Sequence, residues 1–256
     1  MVGCIFVLLT NIAVTAFFMI SLQQYLFIDI ETVSGQPRFE DLSPAMQQLW
    51  LQKCNAIKTT PDADPARLYE QRAGIFSEFA KVICIGLGCI VKKEDGWKIF
   101  MKMISGDDER QILASFAEAI NLFVEREKEA VFCGHNIKEF DIPFLCRRMV
   151  VHDIKLPPSI DISGKKPWEV RHEDTMELWR FGDKKNYTSL ALLAEVLNIP
   201  APKEDMDGSQ VNGVYWNEKS MERIVDYCRG DVVTAARVFL RLKNIKGISL
   251  EPVHLP

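Results

Sequence analysis

An α/β protein with a mixed central β-sheet flanked by helices is what the sequence predicts, on three observations. Residues 25–30 (YLFIDI) form a continuous apolar run with β-branched and aromatic residues, the pattern of a buried strand. Two more such runs, 81–91 (KVICIGLGCIV) and 97–103 (WKIFMKM), flank a KKEDG turn. Along 107–127, Ile112, Phe116, Ala119, Ile120 and Phe123 recur on one helical stripe.

The remaining elements follow in order. Residues 34–45 carry Gly35, Pro37 and Pro44 and read as loop. The stretch 44–58 is helical, TTPDADP at 59–65 is a turn that starts a helix, and 66–79 is a second helix. Residues 35–80 are therefore a helical insertion after the first strand. EAVFCGHN at 129–136 is a short strand ending in a polar loop, and a helix runs from about 139 to 150. Pro, Gly and Lys make 155–170 a loop. A helix over 187–198 is ended by Pro200 and Pro202, and the last helices cover 217–228 and 231–243. Strands interleaved with helices in this order build an α/β layer on a mixed sheet.

The 256 residues suit one domain with an insertion, and 48% hydrophobic against 26% charged residues is an ordinary globular balance. A net charge of -4 argues against binding nucleic acid through a broad basic surface, which needs many phosphate contacts. The seven cysteines are odd in number and scattered, with no CxxC pair, so zinc sites and disulfide frameworks are poorly supported. Reduced, mostly buried thiols in a cytoplasmic protein are expected. From Cys4 to Leu22 no residue is charged. Residues 1–22 are read as a hydrophobic extension without catalytic role, such as an upstream start adds, with a single membrane anchor and a buried helix as the alternatives.

Three constellations carry chemistry. Asp29 and Glu31 sit two apart on the first strand, so alternation puts both carboxylates on one face. Side by side they repel and resist desolvation, a conflict that hard divalent cations resolve. Asp141 lies near a helix start within GHNIKEFDIPFL, where an acidic side chain also favours the helix dipole. Tyr227 and Asp231 stand four apart on a helix and share a face.

In this order, Asp29-Ile30-Glu31-Thr32, Asn136 through Leu145 and Tyr227 through Asp231 resemble the signature of the DEDD exonucleases with a motif-III tyrosine. Within that superfamily the chain is similar to the predicted exonucleases related to the proofreading domain of family-B DNA polymerases. The stretches 69–90, DTMELW (174–179) and Asp207 to Leu242 carry that likeness.

The resemblance implies a ribonuclease-H-like fold, with the exonuclease domain over 23–256. It also implies 3′→5′ removal of nucleoside 5′-monophosphates from single-stranded DNA ends, with two divalent cations, Mg²⁺ or Mn²⁺, as cofactors. Asp29, Glu31 and Asp231 would hold one ion, Asp29 and Asp141 the second, and Tyr227 would orient the attacking water. Thr32, Asn136 and Phe140 are expected near the terminal nucleotide, with core packing the competing role for Phe140. His135 is expected to bond backbone rather than act as a base. Lys165, Lys166, Arg171, Lys184 and Lys185 either meet phosphates or form a solvated face. An RNA 3′→5′ exonuclease, and a non-catalytic nucleic-acid-binding module, are the alternative functions.

Overall fold

The computed structural model describes residues 22–57, 64–183, 185, 187–200 and 206–255. Apart from Leu22, the hydrophobic run at the N-terminus lies outside the described residues. Among the described residues no helix is long and apolar enough to cross a membrane.

Six strands form one sheet in the order β5-β4-β1-β2-β3-β6. They are β1 (Tyr25–Ser34), β2 (Ala80–Lys93), β3 (Gly96–Ser105), β4 (Val131–Gly134), β5 (Glu173–Asp174) and β6 (Glu251–His254). β1–β2 and β2–β3 pair antiparallel, while β4, β5 and β6 pair parallel with their neighbours, so the sheet is mixed as expected. The long helices are α1 (Pro44–Ala56), α2 (Pro65–Arg72), α3 (Glu109–Arg126), α4 (Asp141–Val151) and α7 (Met221–Leu242), with α5 (Thr175–Arg180) and α6 (Leu190–Val196) between α4 and α7.

Alternation along β1 divides the core. Leu26, Ile28 and Ile30 join Ile112, Phe116 and Ile120 of α3 and Phe144 and Leu145 of α4 in one apolar cluster. Phe27 packs with Val232, Ala236 and Phe239 of α7, and Val33 with Ile224 and Cys228 of the same helix. The odd-numbered face of β1, which carries Asp29 and Glu31, is therefore the α7 face. Helix starts are capped as their residue types demand: Ser43, Asp64 and Asp108 accept backbone N–H groups at the starts of α1, α2 and α3.

Two helix expectations need correction. The helix expected over 66–79 stops at Arg72 and tightens into a turn over Ala73–Ile75. The Thr32 hydroxyl donates to the Gly74 carbonyl at 2.7 Å, and a Cβ on Gly74 would sit 3.3 Å from the Thr32 carbonyl, so docking on β1 overrides helix propagation. The helices expected over 217–228 and 231–243 are one, α7, running through Gly230. Its buried stripe of Ile224, Cys228, Val232, Ala235, Ala236 and Phe239 is continuous, and that burial outweighs the roughly 1 kcal/mol a mid-helix glycine costs.

Candidate active site

Each acidic residue reaches one cleft by a different local device. Asp29 and Glu31 alternate onto the α7 face of β1, and the β1–β2 register shifts between Glu31 and Thr32. Such an irregularity re-aims side chains beside a site. Asp141 begins α4. β4 pairs with β1 at Tyr25 to Phe27, and just beyond, the Asp141 carboxylate accepts the Ile30 N–H as well as its own. Tyr227 and Asp231 share a face of α7, and the Tyr227 hydroxyl donates to the Asp231 carboxylate.

The cleft has a volume of about 430 Å³. Asp29, Glu31, Asp141, Tyr227 and Asp231 all line it, with Asn136 and Phe140. Thr32 does not: it lines an adjoining groove. Asn136 has a left-handed backbone (φ 64°), its N–H donates to Asp174 at 2.9 Å, and its buried Oδ1 has no hydrogen-bond partner. Phe140 packs both ways, against the Phe144 ring at 5.3 Å and along the cleft.

Electrostatics mark this cleft as strained when carboxylates are its only charges. Burial, then the charges of Asp231 and Asp141, hold the Asp29 carboxyl well above its ordinary range. Burial, then Asp29 and Asp231, do the same to Glu31. Burial pushes Asp141 up to about 8 against its two N–H contacts, and Asp231 up to about 6 against the Tyr227 hydroxyl. Asp29 Oδ2 is buried without a hydrogen-bond partner, and Glu31 is 6% exposed. Buried like charges and an orphaned carboxylate oxygen fit hard cations bound by oxygen ligands. Burial, then the charge of Asp231, drives the Tyr227 phenol far above its usual value, so it stays protonated.

Among the described residues, metal-capable atoms of Asp29, Glu31 and Cys228 all lie within 4.8 Å of one another. Cys228 was expected only as a buried thiol. Its position three before Asp231 on the same helix was the available signal. Among the described residues six cysteines are free, in keeping with the expected reduced thiols.

Sequence reasoning also missed what shapes the cleft mouth. Asp174 caps α5 and binds the N–H groups of Asn136 and Lys138, fixing the loop that delivers Asp141. His135 bonds the Thr175 hydroxyl through Nδ1 and the Thr188 carbonyl through Nε2. Burial lowers its pKa, and the Thr188 carbonyl can only accept, so Nε2–H donates to it. His135 is thus bonded to backbone as expected, and the carbonyl it holds adjoins Tyr187 in the cleft lining. Lys165, Lys166 and Arg171 do not line the cleft; Lys166 lies over Trp168 and Arg171 pairs with Glu129. Lys184 lies outside the described residues.

The family model described as "Predicted 3'-5' exonuclease related to the exonuclease domain of PolB" matches residues 75–252, more than half of the chain. The chain belongs to this family. The matched span of this exonuclease family includes Asp141, Tyr227 and Asp231 and begins downstream of Asp29 and Glu31. No curated protein matches the chain. Among solved structures it is similar to the family B DNA polymerase from the hyperthermophilic archaeon Pyrobaculum calidifontis, at 15% identity and a TM-score of 0.52. That match covers 86% of this chain and 24% of the polymerase, so the chain spans about a quarter of the polymerase's length. At this identity the likeness bears on the fold, and it fits the ribonuclease-H-like arrangement of the sheet and helices.

Proposed function

We propose that the chain removes nucleoside 5′-monophosphates one at a time from the 3′ end of single-stranded DNA, in a domain spanning 23–256. The observation that carries this reading is the convergence of Asp29, Glu31, Asp141, Asp231 and Tyr227 on one cleft, with all four carboxyls pushed upward. Family membership supports 3′→5′ exonuclease chemistry.

Asp29, Glu31 and Asp231 are suited to hold one Mg²⁺ or Mn²⁺, and Asp29 with Asp141 a second. Bound there, such ions lower the pKa of an attacking water and stabilise charge on the leaving 3′ oxygen. The protein supplies the remainder. Asp141, tied to the Ile30 N–H, keeps its carboxylate fixed against β1. Tyr227 holds its proton and donates to Asp231, so it orients groups in the cleft and does not act as a base. Asn136 offers an unpaired carbonyl oxygen beside the site for the terminal nucleotide.

The test is a gel time course on 5′-labelled single-stranded DNA and RNA of one sequence, with Mg²⁺ or Mn²⁺ and an Asp29→Ala control. A DNA ladder shortening one nucleotide at a time, absent in the control, is expected. Preferential shortening of the RNA would move the substrate to RNA. No cleavage of either by a folded protein would favour a binding role.

A further inference from the structure

Lys165 and Arg171 take no part in the cleft, and both line a separate pocket of about 190 Å³. This pocket shares no lining residue with the cleft. β4 lies between the two. Ala130 and Phe132 bring the pocket to the start of that strand, whereas Asn136 and Asp141 follow its end.

Two buried polar atoms belong to its lining. His172 is only 7% exposed, and its buried Nε2 has no hydrogen-bond partner among the described residues. The same holds for the buried Oγ of Ser159. A buried polar group left unpaired is costly, so two of them in one pocket point to a ligand that pairs with both. The Phe132 ring lies 5.4 Å from the His172 ring and supports it. Burial, then the charges of Lys138 and Lys165, lower the His172 pKa to about 4, so the ring is neutral at pH 7. A neutral imidazole can carry its proton on Nε2, and a hydroxyl can always donate.

The rest of the polar lining says which ligand. Lys128, Lys165 and Arg171 face a single carboxylate, Glu169. That carboxylate accepts the Lys166 N–H at 2.7 Å and is engaged with its own turn. Arg171 pairs with Glu129 at 2.7 Å, but these side chains are 64% and 67% exposed, so the pair is a weak, solvated one that another anion can share. Two buried donors beneath three cations are the complement of a phosphoryl group, which takes charge-assisted hydrogen bonds on several oxygens. A run of backbone phosphates needs an extended basic track, and a pocket of this volume admits one phosphoryl group and the atoms next to it.

We propose that this pocket is a phosphate site separate from the cleft, where Ser159, His172 and Lys165 hold the phosphoryl group of a small phosphate, either the free ion or a nucleoside monophosphate. The site stands whether or not the cleft is a nuclease.

The test is isothermal titration calorimetry of the full chain in EDTA, so that no divalent ion draws phosphate into the cleft. The probes are inorganic phosphate, thymidine 5′-monophosphate and a pentathymidylate without terminal phosphates. One phosphate or monophosphate should bind per chain, and Ser159→Ala and Lys165→Glu should each weaken it roughly 10–100-fold. Asp231→Asn, in the cleft, should leave binding unchanged. Equal affinity for the two small probes would identify the free ion as the ligand, and tighter binding of the monophosphate would identify the ester. Histidine-selected ¹H–¹⁵N spectra read the floor directly, since the chain has four histidines. Phosphate should shift the ring-nitrogen signals that disappear in His172→Phe. No binding of either small probe, or binding lost in Asp231→Asn and kept in the pocket variants, would overturn the assignment. Pentathymidylate binding that depends on Ser159 and Lys165, with no binding of the small probes, would also overturn it and make the pocket a strand contact.

Discussion

Gly86 stands directly across the β1–β2 ladder from Asp29, and a Cβ there would lie 2.7 Å from Val232 Cγ2 and 3.0 Å from Cys228 Sγ. The missing side chain is what lets α7 settle on the sheet. The approach of α7 brings Tyr227, Cys228 and Asp231 to the carboxylates of β1. The site depends on this glycine although Gly86 does not line the cleft.

Gly86→Ala should therefore affect fold and site together. Val232 is β-branched and stiff, so α7 must move to admit a methyl group. A loss of about 1–3 kcal/mol is expected from overpacking. Exonuclease activity should fall further than the unfolded fraction explains, since Asp231 moves with the helix. Urea denaturation and a rate measured well below the melting temperature separate the two effects. A variant with wild-type stability and rate would mean that α7 has slack here.

The parts of the site that depend on local periodicity were legible in the sequence. Alternation placed Asp29 with Glu31, and the helical repeat placed Tyr227 with Asp231. The parts set by tertiary contacts were not. The end of α2 depends on Thr32 reaching Gly74 across 42 residues. Tyr187 reaches the cleft because His135 holds Thr188 from 53 residues away. Cys228 enters the site because Gly86, on another element, has no side chain. β6 was invisible because EPVH, with a proline inside it, reads as loop until the edge of β3 pairs with it.

The raised carboxyl pKa values set the sign of a pH effect on stability. An unfolded aspartate titrates near about 4, whereas Asp231 is raised to about 6 and Asp141 to about 8. The folded protein binds more protons, so these groups contribute stability that is full below the unfolded pKa and lost as pH rises through the folded values. In EDTA the melting temperature should fall between pH 5 and pH 9. Mg²⁺ or Mn²⁺ should reverse that fall by binding the folded state. Differential scanning fluorimetry with and without the ion is sufficient, and Asp141→Asn should flatten the slope. A melting temperature that climbs with pH in EDTA would contradict the electrostatic account.

A second charged cluster braces the same sheet from the other side. Glu109, 6% exposed, accepts from the Val82 N–H, from Arg148 at 2.8 and 2.6 Å, and from His152 at 2.6 Å. Burial pushes the Glu109 carboxyl up, but the Arg148, Val82 and His152 hydrogen bonds outweigh it and hold it below its usual value. Arg148 also donates to the Ser77 carbonyl at the end of the insertion. Glu109→Ala should cost about 3–5 kcal/mol, because it strands a guanidinium that is only 11% exposed. Its contribution is lost as pH falls, opposite in sign to that of the cleft carboxyls. Denaturation of the variant at pH 7 checks the magnitude. A cost under about 1 kcal/mol would make this an ordinary surface pair.

Tyr227→Phe isolates the hydroxyl from the ring. The ring's packing survives, and only the O–H donated to Asp231 is removed. If Tyr227 positions groups for attack, kcat should fall about 10–100-fold with little change in KM, within or below the range for groups that handle protons directly. The pH dependence discriminates further. Burial and neighbouring negative charge drive the phenol upward, so wild type should show no alkaline limb assignable to Tyr227 below pH 10. Losing the hydroxyl should also raise the Asp231 pKa, because its hydrogen bond now lowers it. The acidic limb of the rate profile should then move to higher pH in Tyr227→Phe. A profile of kcat from pH 5 to pH 10 for both proteins reads all three effects. An unchanged kcat with an unmoved acidic limb would remove Tyr227 from the mechanism and leave it as a packing residue of α7.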